Sequence, residues 1–184
     1  MSVVSFEKER TNNWAQFMAR MQARACIISK ITGISNADSR KIWKQVVGKG
    51  SPSGQQPADD NWFLKSPLRR THSALILSLY AIAQKNMPQY AAFAHAYYHY
   101  ARITAGIYEN KFMTDDPAFR TNEDDYVIPF SRAYFLVLIY TDEEISPGVR
   151  KCNLQVRRCR SCSSLYLSHV EEFGHKCPQC SSKK

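Results

Sequence analysis

Three features of the sequence predict a mainly α protein with a small cysteine-rich end. Apolar residues recur at steps of three and four through much of the first 148 positions. Glycine is absent between Gly54 and Gly106, while Pro67 and Pro88 stand at the starts of apolar-periodic segments. Four of the six cysteines gather near the end as two C-x2-C pairs. Periodicity of that kind marks amphipathic helices with one buried face. At 184 residues, 44% hydrophobic and 12% aromatic, the chain can bury one sizeable core or two small ones.

The elements follow in order. From Phe6 to Ile31, the residues Trp14, Met18, Met21, Ala25 and Ile28 lie on one face of a helix that Gly33 ends. Ser35 is the N-cap of a second helix reaching Val47, with Ile42, Trp43 and Val46 buried and Gly48 as its stop. Two helices joined by a short glycine-containing turn outline a helix-turn-helix-like region over residues 1–50. In such a unit the second helix enters the major groove, so Asn36, Asp38, Ser39 and Arg40 would face base edges, with Lys41 and Lys44 beside them. Amphipathic helices joined at a glycine also occur simply as packing.

Residues 51–65 form a loop by composition, rich in Gly, Pro and Ser at its start. A central helical bundle, serving as core and partner interface, is expected over 66–148. Ser66 and Pro67 open a helix to Asn86 with Leu75, Ile76, Leu79 and Ile82 inward, and Pro88 opens the next. That one carries Tyr90, Ala94, Tyr97, Ala101, Ala105 and Tyr108 on one side, where small alanines let a neighbour approach. His95 and His99, four apart, share a face on which a metal could bind. Ala96, however, stands where a hydrolase helix needs its general base, so exposed or hydrogen-bonded histidines are the simpler reading. Thr114 to Asp125 is an acidic connector. The nearly all-apolar run Ala133 to Tyr140 then calls for burial on more than one side, in a bundle or against a partner subunit.

Charge is segregated. Residues 1–50 hold nine Lys/Arg against three Asp/Glu, residues 51–148 eight against eleven, and residues 149–184 eight against two. Basic ends on a chain of net charge +9 are the footprint expected of a polyanion binder. The plain counter-reading is a set of solvated lysines and arginines.

The run CRSCSSLYLSHVEEFGHKCPQC, from Cys159 to Cys180, makes 149–184 a distinct unit. The N-terminus has neither the apolar core nor the cleavage site of a secretory leader, and no stretch supplies the roughly 20 apolar residues of a membrane span. A cytoplasmic location is therefore expected, where such pairs read as a metal site rather than a disulfide scaffold. Cys159, Cys162, Cys177 and Cys180 would hold one structural Zn2+ as a small four-cysteine zinc ribbon, with no position left open for water. Redox C-x-x-C pairs or a rubredoxin-like iron site are the competing readings. A short hairpin of Leu165, Tyr166, Leu167, Val170 and Phe173 is expected between the pairs, with His169 and His175 as spectators and Cys26 and Cys152 as buried or idle thiols. Arg157, Arg158 and Arg160, beside the site, would contact DNA or balance the charge of four thiolates. No catalytic constellation stands out, so no enzymatic activity is expected.

Taken together, ITGISNADSRKIWKQVVGKGSPSGQQP, DNWFLKS, FSRAYFLVLIY, CRSC and CPQC, in that order, resemble the FlhC family of bacterial transcriptional activators. Within it they resemble most closely the subunits AcaC and SetC of conjugative elements. The acidic stretch Asp115 to Asp125 departs from the family pattern. The resemblance implies a subunit that binds double-stranded promoter DNA with an FlhD-like partner in a hetero-oligomer and contacts RNA polymerase. It also implies that the operons switched on are those of conjugative transfer, or flagellar-type ones. A zinc-ribbon RNA-binding or ribosome-associated protein is the competing expectation.

Overall fold

The computed structural model describes residues 3–56, 59–107, 128–145, 153–172 and 177–181. Among them the chain is mainly helical, with one two-stranded antiparallel sheet. The acidic stretch from Thr114 to Asp125, with Tyr108, Cys152, Phe173 and His175, lies outside the described residues.

Helices α1 (Val3–Arg20), α2 (Ala25–Thr32) and α3 (Asn36–Val47) pack on one another. This corrects the single helix expected from Phe6 to Ile31. The break is a left-handed Gln22 at φ 61°, where the Ala23 N–H donates to Met18 O at 3.0 Å and the Gln22 N–H to Ala19 O at 3.0 Å. That double closure ends helices, usually with glycine in the left-handed place. Glutamine hides the stop from a reading of periodicity. The start of α2 is hidden too, because its first N–H, on Ala25, donates to Ser51 Oγ (2.9 Å), 26 residues away.

The next two boundaries are local. Gly33 sits at φ 76° with its N–H on Ser29 O, and a β-carbon placed there would meet no neighbouring atom within 4 Å. A side chain there would cost only backbone strain, roughly 1–2 kcal/mol. Ser35 caps α3: its Oγ accepts from the Asp38 N–H at 3.0 Å and donates to the Asp38 carboxylate at 2.7 Å. Trp43 is wholly buried, and its Nε1 donates to Ala23 O at 2.8 Å. One side chain thus ties α3 to the α1–α2 corner, over a core of Ala15, Met18, Ala19, Ile27 and Ile28.

The described residues between 51 and 60 are loop as expected, and only Asn61–Leu64 departs from that assignment. Arg24 Nη1 donates to Gly54 O (3.3 Å) and Gln55 O (3.2 Å), folding the segment back over α2. Asn61–Leu64 then forms a single 3₁₀ turn with Trp62 and Phe63 buried. The guanidinium carbons of Arg69 and Arg132 lie 4.0 and 4.1 Å from the Trp62 ring centroid. Cation–π contacts therefore join this turn to two helices.

Helix α4 (Pro67–Ala83), capped by Ser66, packs on α5 (Gln89–Ile107) and α6 (Phe130–Ile145). Ile82, expected inside, is 65% exposed. It stands two positions, or about 200°, beyond buried Tyr80 and so points away from the core. On α5, Ala94, Tyr97 and Ala101 are buried as expected, and Phe93, Ala96, Tyr100 and Thr104 widen the stripe. Tyr97 and Tyr100 do more than pack: the Tyr97 hydroxyl donates to Ile128 O (3.0 Å), and the Tyr100 hydroxyl accepts from the Ile128 N–H (2.9 Å) while bonding His72 Nδ1 (2.8 Å). The chain entering α6 is fixed by this network. On α6, Ala133, Leu136 and Val137 are buried and Phe135 is half-buried, whereas Leu138 is exposed.

Strands β1 (Leu154–Arg158) and β2 (Leu165–His169) pair antiparallel, with Leu154 opposite His169 and Arg158 opposite Leu165. The hairpin therefore brackets the first cysteine pair instead of lying between the two pairs. The reason is that Leu154–Arg158 supplies the earlier strand and CRSC turns the corner. Leu154 and Leu167 join the central core, and β2 lies on α4 and the 3₁₀ turn. Arg70 of α4 secures the contact, donating from Nε to Leu167 O (2.8 Å) and pairing with the half-buried Glu172 carboxylate, which also accepts from the His169 N–H.

Candidate functional site

The turn between β1 and β2 delivers two thiols. The Cys159 N–H donates to Ser164 O (2.9 Å), the Ser163 N–H to Cys159 O (3.0 Å), and Ser163 takes a left-handed φ of 60°. The Ser161 N–H points at Cys159 Sγ (3.4 Å). Cys177 and Cys180 arrive on the one-turn helix α7 (Pro178–Ser181) and the residue before it, and Ser164 Oγ bonds Gln179 Oε1 at 2.8 Å between the two cysteine pairs.

Four sulfurs converge. Cys159 Sγ is 3.9 Å from Cys180 Sγ, Cys162 Sγ is 3.6 Å from Cys177 Sγ, and all four lie within 4.8 Å of one another. A disulfide would need about 2.05 Å. Tetrahedral metal–sulfur bonds of about 2.3 Å place sulfurs about 3.8 Å apart, so the cluster can hold one metal ion. Electrostatics favour a cation. The Ser164 hydroxyl and N–H bring the Cys162 thiol down to about 6, whereas its neighbours Cys162 and Cys159 push Cys180 up to about 12. Four thiolates cannot coexist here without a positive charge among them. His169 stays outside, its Nδ1 accepting from the Glu171 N–H (3.2 Å). Cys26, expected buried or idle, is exposed and accepts from Gln56 Nε2 at 3.0 Å.

The basic residues are placed as follows. Asn36, Arg40, Lys41 and Lys44 are exposed along α3; Lys41 and Lys44 lie about 160° and 100° round the helix from the buried Trp43, whereas Arg40 flanks it and Asn36 stands at the helix start. Ser39 corrects the expectation of a base-facing residue: it is wholly buried, and its hydroxyl donates to Ser35 O (2.8 Å) and lies 3.2 Å from Asn36 O. Asp38 is committed to the cap, where the Ser35 hydroxyl holds its carboxyl below the ordinary value, and it pairs with Lys41 at 3.7 Å. Arg158 and Arg160 are exposed beside the sulfurs, while half-buried Arg157 donates to Val170 O at 3.4 Å. Sequence reasoning missed Lys8 and Asn12, which line a cleft of about 540 Å³ together with Ser35, Asp38 and Lys41. The charge of the first 50 residues counted Lys8, but only the packing of α1 across α3 brings it to Lys41.

A helical body carrying four converging cysteines that could hold a metal ion is the class of protein that the fold and the site define. A family model described as flagellar transcriptional activator (FlhC) matches residues 2–183. The chain belongs to the FlhC family, a family of transcriptional activators and not of enzymes. A comparison with curated proteins gives no match. Among the described residues no helix is long and apolar enough to cross a membrane.

Proposed function

We propose that the chain is the DNA-binding subunit of a transcriptional activator, with α2, Gly33 and α3 acting as a helix-turn-helix and α3 entering the major groove. The observation that carries this is the two-sidedness of α3. Trp43 and Ser39 lock one side onto the body, while Lys41 and Lys44 are exposed away from it, with Arg40 at the edge and Asn36 at the exposed start of the helix, where they can meet phosphates and base edges. The ion in the cysteine cluster is Zn2+, because a closed tetrahedral set of four thiolates is its ligand preference. It holds Arg157, Arg158 and Arg160 in place as a second cationic contact.

The resemblance to AcaC and SetC supports a role in conjugative transfer, an FlhD-like partner and a contact with RNA polymerase. Exposed Ile103 on α5 and Leu138 on α6 offer apolar surface for such a partner. Co-expression with a small helical partner, followed by recovery of the genomic fragments the complex retains, tests the proposal. Duplex DNA should be retained specifically and outcompete RNA of equal length, since A-form RNA has a major groove too narrow for α3. Equal competition by RNA would instead favour a zinc-ribbon RNA-binding protein.

A further inference from the structure

His95 and His99 stand one turn apart on α5, and the structure turns their rings toward each other. Their Nε2 atoms share a hydrogen bond at 3.3 Å, the pairing expected from the sequence, with ring centroids at 4.4 Å and planes inclined by 58°. Metal–imidazole bonds of about 2.0–2.1 Å at a tetrahedral angle span a nitrogen–nitrogen distance of about 3.3–3.4 Å. The pair therefore already has the bite of a chelate. Access is open, because His99 is exposed and His95 only half-buried. Burial, and then the charge of His99, hold the His95 imidazole below its ordinary value, which favours the neutral form that ligates. The neighbouring cation, Arg102, is turned to Tyr98, donating to its hydroxyl at 3.1 Å.

We propose that His95 and His99 form a second, surface metal site for a divalent transition ion that prefers imidazole, such as Zn2+, Ni2+ or Cu2+. Water completes the coordination. With two protein ligands instead of four, and neutral nitrogens instead of thiolates, this site exchanges its ion where the cysteine site retains it. Two ligands on one rigid helix should bind roughly 100-fold more tightly than either alone. An ion bridging one turn also braces α5.

Titration tests the proposal on the full-length chain, alone or in its complex, with the cysteine site already loaded. Zn2+ is added against a competing colour indicator, and Co2+ is used in parallel for its absorption. The expected result is one further equivalent, without a sulfur-to-metal charge-transfer band, weakened roughly 100-fold in both His95→Gln and His99→Gln. Circular dichroism checks that both variants keep their helix content. Absence of the further equivalent, or its retention at unchanged affinity in both variants, would overturn the site.

Discussion

The two basic regions proposed to grip DNA are built on opposite principles. The α1–α3 unit is held by a packed apolar core that closes on Trp43. The hairpin unit sends Leu154 and Leu167 into the central core and is clasped by Arg70, while four thiols converge from its turn and from α7. A short hairpin alone is marginal, so β2 rests on α4 and the cysteine turn would depend on a bound ion. The comparison teaches that one face should respond to cavities and the other to chelators. A perturbation of one should leave the other standing.

The largest effect is expected from the metal site. Metal removal by a strong chelator, or Cys177→Ser, should unfold the hairpin unit, because structural Zn2+ contributes on the order of 10 kcal/mol to domains of this kind. Hydrogen exchange should show lost protection at β1 and β2 with α3 protected as before. Loss of protection in α3 as well would mean that the two regions are not independent. Next comes Trp43→Ala, which empties a fully buried site and orphans Ala23 O, at about 3–5 kcal/mol in chemical denaturation. Metal content should stay at the parental level.

A comparable effect, confined to acid, is expected from His72. Its burial lowers the folded value to about 4, from an ordinary 6.5. The folded state then binds fewer protons, so stability is intact above pH 6.5 and falls as pH drops towards 4, by about 3 kcal/mol in all. His72→Gln should flatten that slope in denaturation curves at constant metal content. An unchanged slope would assign the acid sensitivity elsewhere. The smallest effect is Ser35→Ala, which removes the cap of α3 at about 1 kcal/mol in thermal unfolding.

How far these regions were legible in the sequence differs for a physical reason. The convergent cysteines, Ser35, Gly33 and the Ser66–Pro67 start were readable because each is a local device whose residue type matches its task. Gln22 was not, because a left-handed helix stop that uses a side chain other than glycine leaves no compositional trace. The cap that Ser51 gives Ala25 and the clasp of Arg70 on Leu167 and Glu172 were equally hidden, since both join residues far apart in the chain. The hairpin was misplaced because the strand before Cys159 alternates only over Leu154 to Arg157, too short a run to stand out, before Arg158 takes the next apolar place. Ser39 was misjudged for a simpler cause: a small polar residue early in a helix can face inward if its hydroxyl turns back onto carbonyls.

The salt dependence of duplex binding tests most directly whether both faces grip DNA. Two variants would be compared with the parent complex, one with Arg40, Lys41 and Lys44 changed to alanine and one with Arg157, Arg158 and Arg160 so changed. Each should lower the slope of log affinity against log salt by about 2–3, with metal content intact. Unchanged slopes in both would contradict the account, and an unchanged slope with lost metal in the second alone would reduce its arginines to charge balance for the thiolates.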